Sequence, residues 1–308
     1  MDFFKARMAG YTLTGILHGV GLYLVSKTKI PPCNQRPLIM NLALIELVGS
    51  WYSVFTDVVV LCREWNVYWE HIHVFFVFVL YTVIRLAVLN IIIDRLLDIF
   101  FNLKYPLYVT KNTIFWILTV EWIVIASAAV VFTLLVIFNI CPLHDFYYFL
   151  VYFHLSLDIL ITLVAMVTYI YFYFRVRSIM STHQEVATRN KKMAWRNFRV
   201  PLFMVISYIL FNVTATVLKV VALQEFIEQS KEYTKHYILL AGLSAILDTL
   251  GWISDALIYV FLQKKIRDVV TSHMQKLIRS NREPASEITL NTMTRSVVST
   301  VSLIPMPS

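Results

Sequence analysis

Seven apolar runs, near residues 8–26, 38–62, 66–100, 112–138, 146–179, 191–223 and 235–260, leave this chain few ways to fold. Each is long enough to cross a hydrocarbon core of about 30 Å as a helix rising about 1.5 Å per residue. None shows the period-2 alternation of a barrel strand, and in lipid a helix satisfies its own backbone polar groups. Proline punctuates the breaks: Pro31, Pro32 and Pro37 in the first connection, Pro106 in the third, Pro142 in the fourth. Proline lacks the N–H that a continuing helix needs. A chain that is 58% hydrophobic and 15% charged, with a mean hydropathy of +0.68, belongs to no ordinary soluble class. The expected fold is an all-α membrane protein, a seven-transmembrane-helix bundle over 1–279. A Ser/Thr-rich tail over 280–308 has too little apolar periodicity to join a core.

Asp2, Lys5 and Arg7 precede the first run and no small-residue cleavage pattern follows it, so a removable signal peptide is not expected. Basic residues set the orientation. Lys27, Lys29 and Arg36 fall in the first connection, Lys104 and Lys111 in the third. The fifth carries Arg175, Arg177, Arg189, Lys191, Lys192, Arg196 and Arg199. The second, fourth and sixth connections instead hold Glu64 and Glu70 beside Arg63, Asp145 alone, and Glu225, Glu228 and Glu232 against Lys231 and Lys235. The positive-inside rule therefore places the N-terminus outside and the C-terminus in the cytoplasm. The net charge of +8 then reflects topology and contact with the bilayer's inner leaflet; no nucleic-acid partner is expected.

Charge inside the third run carries the next step. Asp94 and Arg95 follow an apolar stretch from Val74 to Ile93, and charged side chains there either snorkel to the interface or form a site. Arg85 lies ten residues earlier, about 15 Å deeper on the same helix. A guanidinium does not shed its proton, and inserting one costs about 3 kcal/mol even with snorkelling. Arg85 is therefore expected to be paired, with Asp158 as first candidate and Glu121 or Glu46 as alternatives.

Asp94-Arg95-Leu96 late in the third of seven spans, with an outside N-terminus, resembles the Asp-Arg-Tyr signature of the rhodopsin-like G-protein-coupled receptors. Other landmarks keep register. Asn41-Leu-Ala-Leu-Ile-Glu46 is similar to that family's sodium-site motif, with Glu for Asp, and Trp122 lies 27 residues beyond Arg95, where the family keeps its helix-four tryptophan. Asp255-Ala-Leu-Ile-Tyr259 resembles the helix-seven Asn/Asp-Pro-x-x-Tyr motif without its proline, and Val260 to Arg267 resembles the short amphipathic eighth helix. The resemblance covers most of the chain. It implies an activation and G-protein-coupling switch at Asp94, Arg95, Asp255, Tyr259 and Tyr169, and a sodium-site-like role for Glu46.

It also implies a ligand site between the outer halves of helices three, five, six and seven. Candidates are Asp57, Val77, His154, Asp158, Asn212, Asp248 and Thr249, with Lys219 near the outer end of helix six. Val77 stands where amine receptors carry aspartate and Thr249 where opsins carry the retinal lysine, which argues against a monoamine receptor and a photoreceptor. Intramembrane acids permit a cationic or peptide ligand; for each group the alternative is a hydrogen bond between helices.

The departures are specific. Tyr208-Ile-Leu-Phe-Asn212-Val-Thr214 stands where the family has Phe-x-x-x-Trp-x-Pro, so the tryptophan and its proline kink are both missing, and Pro201 is the nearest source of a bend. His18 replaces the helix-one asparagine. Lys191 and Lys192 occupy the base of helix six, which leaves Asp94 as the acid beside Arg95. The family's helix-three cysteine is Glu70 here; a displaced bridge between Cys62 and Cys141 stands open against two free thiols, and Cys33 is expected to be free. Ser286, Thr289, Thr292, Thr294, Ser299 and Thr300 are candidates for a receptor kinase, with arrestin as the reader of the added phosphate.

Catalysis has no support. No His-Glu-x-x-His, Gly-x-Ser-x-Gly or phosphate-cradling glycine loop occurs, and the eight histidines lack metal-ligand spacing, so no enzyme, metal or cofactor is expected. The expected function is a plasma-membrane receptor that passes the signal of an extracellular small molecule or peptide to a heterotrimeric G protein by outward movement of its cytoplasmic helix ends. The alternative is a multi-span transporter or ion-pathway protein using Glu46, Arg85, Glu121, Asp158 and Asp248. Inverted repeats and paired broken helices, frequent in such transporters, are not found in the sequence.

Overall fold

The third helix packs against the second, fourth and fifth spans and is the most buried of the seven. A computed structural model describes residues 2–27, 35–62, 66–101, 105–180, 202–228 and 235–258, with isolated positions 268, 271–272 and 275. All regular structure among the described residues is helical. We label the spans α1 (Asp2–Lys27), α2 (Gln35–Leu61), α3 (Val67–Phe101), α4 (Lys111–Ile137), α5 (Leu143–Met180), α6 (202–228) and α7 (Lys235–Leu257). Seven helices in this set are long and apolar enough to cross a membrane, which makes the chain a multi-pass membrane protein by length and composition. The residues expected to form an eighth helix, Val260 to Arg267, and the tail's phosphorylation candidates lie outside the described residues, as do Cys33, Pro201, Lys191, Lys192 and Tyr259.

Local chemistry sets the helix ends. Pro37 sits in the first turn of α2, where its missing N–H costs nothing. Asn66 caps α3, its Oδ1 accepting from the N–H groups of Tyr68 and Trp69 at 3.0 and 3.2 Å. A single turn, Tyr105–Tyr108, follows α3, and Thr110 then caps α4 by accepting from the Thr113 N–H at 3.1 Å. Past α4 the chain reverses through Asn139 at φ 54°, a left-handed conformation that asparagine tolerates. Hydroxyls inside the spans bond back to their own helix: Thr12 to the Met8 carbonyl at 2.8 Å and Thr14 to that of Gly10 at 2.9 Å. Each of these hydroxyls thereby keeps an acceptor within its own helix.

Neighbours close into a ring, α1–α2–α3–α5–α6–α7 and back to α1, with α4 packed outside on α3 and α2. The burial follows: 61% of the apolar window of α3 is inside, against 17% for α4. On α3, Val74, Phe78, Val83 and Ala87 face the interior. Phe78 meets Phe132 of α4 and Phe153 of α5 at ring distances of 5.2 and 6.1 Å. Outward faces stay apolar, as at Phe115, Trp116 and Ile123 on α4, the inverse of a soluble surface.

Within α6 the stretch Tyr208–Val213 is π-helical, between helical turns at 202–207 and Thr214–Glu228. This is the stretch that lacks the resemblance's tryptophan and proline. A π turn widens the helix by one residue and re-aims the side chains on either side of it.

Candidate functional site

Four polar clusters lie along the bundle, and α3 touches three of them. At the end where α1, α3, α5 and α7 begin, a cavity of ≈390 Å³ opens among six helices. Arg7 and Tyr11 reach it from α1, Asp57 and Tyr52 from α2, His73, Val77 and Tyr81 from α3. Tyr147 and His154 come from α5, Lys219 from α6 and Trp252 from α7. Two ion pairs set its charge. Arg7 holds Asp57 with two N–H groups, its Nε at 3.0 Å, and Lys219 Nζ holds Asp248 at 2.5 Å while lying 4.9 Å above the Tyr81 ring. Tyr52 and His73 share a hydrogen bond of 2.9 Å, and His154 shares one of 3.3 Å with Thr82. Trp252 is the floor, 5.6 Å from the Tyr11 ring and 6.2 Å from that of Tyr81. Gly49 makes room for it: a Cβ there would meet Trp252 Cη2 at 3.3 Å.

Of the sequence's ligand-site candidates, Asp57, Val77 and His154 line this cavity and Lys219 joins them. Asp158, Asn212, Asp248 and Thr249 are not among its lining residues. Asp248 stands behind Lys219; Thr249 bonds the Ala245 carbonyl at 2.8 Å and packs where a Cβ on Gly10 would come within 2.9 Å of its Cγ2. Asn212 packs against Gly251 of α7, at 3.0 Å from where a Cβ would stand. The cavity therefore draws on α1, which sequence reasoning left out, as well as on α2, where it had named Asp57.

One level deeper, Arg85 and Asp158 are brought together. Arg85 Nε and Nη2 reach the two Asp158 oxygens at 2.9 and 3.3 Å, Nη2 also reaches Thr216 Oγ1 at 2.8 Å, and Nη1 bonds the Tyr81 carbonyl at 3.1 Å. The Tyr208 hydroxyl donates to Asp158. This network ties α3 to α5 and α6, and the π segment lies between its two α6 members, Tyr208 and Thr216. The alternative partners are engaged elsewhere: Glu121 accepts from Asn90 at 2.6 Å, and Glu46 lies on the α1 side.

Below the Trp252 floor, His18 Nε2 is 2.9 Å from the Trp252 carbonyl, which accepts, so Nε2 carries the proton. His18 Nδ1 lies 3.3 Å from Glu46 Oε2, and the Asp255 carboxyl lies against that of Glu46. All three side chains are buried. One imidazole nitrogen and two carboxyls, each a group that can carry a proton, thus stand together in the bundle. Among the described residues no group of three or more His, Cys, Asp or Glu side chains is arranged to hold a metal ion. Nearby, the Trp122 indole N–H donates to Asn41 Oδ1 at 2.9 Å, joining α4 to α2.

At the far end of α3, Arg95 is 4% exposed and closed upon its own helix. It donates to Asp94, with Nε at 3.1 Å, and to Asp98 at 3.3 Å; the Tyr105 hydroxyl donates to the other oxygen of Asp94. Burial, and then the Asp94 carboxylate it bonds, push the Tyr105 phenol up from its ordinary value, so it stays a donor. Helix α3 continues two turns past this pair to Phe101, so Asp94 and Arg95 are not snorkelling end-charges. Tyr169 of α5 is half-buried against the core, and Asp255 is buried on α7.

Cys62 is exposed and Cys141 is half-buried at the α4–α5 turn; both are free thiols, and no bridge joins them. Sequence reasoning missed Trp252, Tyr208, Thr216, Tyr105 and Asp98 as site members. Asp98 was legible three residues beyond Arg95, one helical turn on. A larger groove, ≈1110 Å³, runs outside α1, α2 and α4, walled by membrane-side residues such as Leu44, Phe115 and Ile123. No model of a protein family and no curated protein matches this chain.

Proposed function

We propose that this chain is a seven-helix receptor of the plasma membrane, N-terminus outside, that passes the binding of an extracellular small molecule to a heterotrimeric G protein. One observation carries the reading: α3 walls the cavity with His73, Val77 and Tyr81 and carries, some twenty Å further along by its rise per residue, an arginine closed by Asp94, Asp98 and Tyr105. Opening that end outward would release a charged side chain that the resting arrangement satisfies internally, and a cytoplasmic partner supplies the new acceptors. Arg85 ties the middle of α3 to α5 and α6, the helices whose ends would move.

The test uses the full chain in nanodiscs with a panel of heterotrimeric G proteins, read by nucleotide exchange. Exchange above the level of empty nanodiscs, lost in Arg95→Ala, is the expected result. The second reading, an ion-coupled transporter, draws on Glu46, whose buried carboxyl meets His18 and Asp255 in mid-bundle. Solute uptake into proteoliposomes without exchange on any G protein selects that reading and overturns the first.

A further inference from the structure

We infer that the cavity at the α1 end takes a small, singly charged aromatic acid, whose carboxylate docks on Lys219 and Arg7. The inference rests on the receptor reading for its assignment of this cavity as the ligand site, and it adds the ligand's chemistry.

Charge order decides the sign. In both ion pairs the cation is the more open member: Arg7 and Lys219 are 27% and 28% exposed, against 1% for Asp57, which lines the cavity with both oxygens held by Arg7, and 6% for Asp248, which is not in the lining. An entering ligand therefore meets N–H donors before it meets a carboxylate. A protonated amine would face two cations of its own sign, with the acids that attract it already bonded. A carboxylate finds Lys219, an ammonium with three donors, one of them given to Asp248. Since each cation already has its own acid, one added negative charge is shared between two cations, whereas a dianion would bury charge that nothing nearby offsets.

The remaining walls describe the body of the ligand. Tyr11, Tyr52, Tyr81, Tyr147 and Trp252 offer ring faces and edges, while Tyr52 and His73 are hydrogen-bonded to each other. A flat ring packs against such walls without stranding a polar group. A volume of ≈390 Å³ is on the scale of a small-molecule site and too small for a folded peptide. Asp57, which the sequence offered as an anchor for a cationic ligand, is occupied by Arg7 instead.

Matched probes separate charge from shape. The full-length protein in nanodiscs is titrated with a series of one- and two-ring aromatic acids, 4-hydroxyphenylacetate among them. Each is paired with the amine and amide of the same skeleton, such as tyramine and 4-hydroxyphenylacetamide, and the readout is the thermal unfolding midpoint. Acids that raise the midpoint while their amines and amides do not are the expected result. Because Lys219→Met alone strands Asp248, the informative variant is Lys219→Met with Asp248→Asn, joined by Arg7→Gln with Asp57→Asn. Each should weaken the best acid by roughly tenfold while the unliganded midpoint persists. Stabilisation by the amines instead, no stabilisation by any acid, or acid binding that both double variants leave unchanged overturns the inference. Nucleotide exchange is read separately on the same samples: an acid that binds yet drives no exchange on any G protein counts against the receptor reading and leaves the ligand chemistry standing.

Discussion

Removing Asp158 should harm the protein more than removing Arg85, and removing both should harm it least. In the wild type Asp158 receives Arg85 Nε at 2.9 Å, Nη2 at 3.3 Å and the Tyr208 hydroxyl, and its side chain is fully buried. Asp158→Leu leaves a guanidinium with two neutral acceptors, Thr216 and the Tyr81 carbonyl. An uncompensated buried charge of this kind costs about 3–5 kcal/mol, and arginine cannot escape by losing its proton. Arg85→Leu leaves a carboxylate that keeps Tyr208 and can neutralise itself by binding a proton, so its cost falls at or below the lower end of that range. Arg85→Leu with Asp158→Leu removes both charges. Thr216 keeps its bond to the Asn212 carbonyl at 3.0 Å, and Tyr208 alone loses its acceptor, at about 1–3 kcal/mol. Adding Tyr208→Phe removes that residue of cost. Independent sites would instead give a double variant near the sum of the singles, about 6 kcal/mol or more. The assay is surface expression together with unfolding in nanodiscs for the wild type, the two singles, the double and the triple. A coupling of about 3 kcal/mol corresponds to more than a hundredfold in the folded ratio and is well resolved. Simple additivity of the single effects would refute the argument.

Asp94→Asn should raise ligand-independent nucleotide exchange, with Tyr105→Phe doing so more weakly, and Arg95→Ala should abolish exchange at unchanged surface expression; equal basal exchange in wild type and Asp94→Asn removes the restraining role assigned to that carboxylate. Gly10→Ala pushes a Cβ to 2.9 Å from Thr249 Cγ2 and should cost about 1–3 kcal/mol of stability, recovered by Thr249→Ser, which lacks that methyl; unfolding midpoints that the second change does not restore break the contact argument. His18→Gln, which can still donate to the Trp252 carbonyl, should respond to ligand better than His18→Leu, which cannot, as read by ligand-driven exchange at matched expression; identical responses dismiss the hydrogen bond as a coupling element. Truncation after Arg282 should leave exchange intact and abolish agonist-driven internalisation, and internalisation that persists in the shortened chain argues against arrestin recruitment through the Ser/Thr cluster.

The spans were legible because lipid imposes one requirement, a long apolar run, that a sequence displays directly. Arg85 was legible for the converse reason, since a fixed charge deep in a span demands a partner, and few acids lie at matching depth. Other features had no such signature. The π segment Tyr208–Val213 differs from an α-helix by one residue per turn, and its apolar sequence is compatible with either. Tyr105 approaches Asp94 only because the chain folds back after Phe101, a contact that periodicity does not encode. Trp252 read as one aromatic among many in a chain that is 15% aromatic. The cavity extends to α1 because Arg7, counted by the sequence reading as a flanking charge, folds onto Asp57 one helix away.

Two buried polar links lie under the cavity, and their strengths give them different parts to play. Coupling between a ligand and a distant site is typically worth about 1–3 kcal/mol. Separating Arg85 from Asp158 costs about 3–5 kcal/mol, more than such a ligand supplies, so on the receptor reading that network would hold α3, α5 and α6 together in both states. The bond from His18 to the Trp252 carbonyl is a single one, worth about 1–3 kcal/mol when broken in a buried place. Trp252 also lines the cavity, and Glu46 with Asp255 lies behind His18. On the receptor reading, a ligand that shifts the indole would act on the weaker link, change what His18 offers to Glu46, and leave the Arg85 network as the pivot about which the far end of α3 would be released.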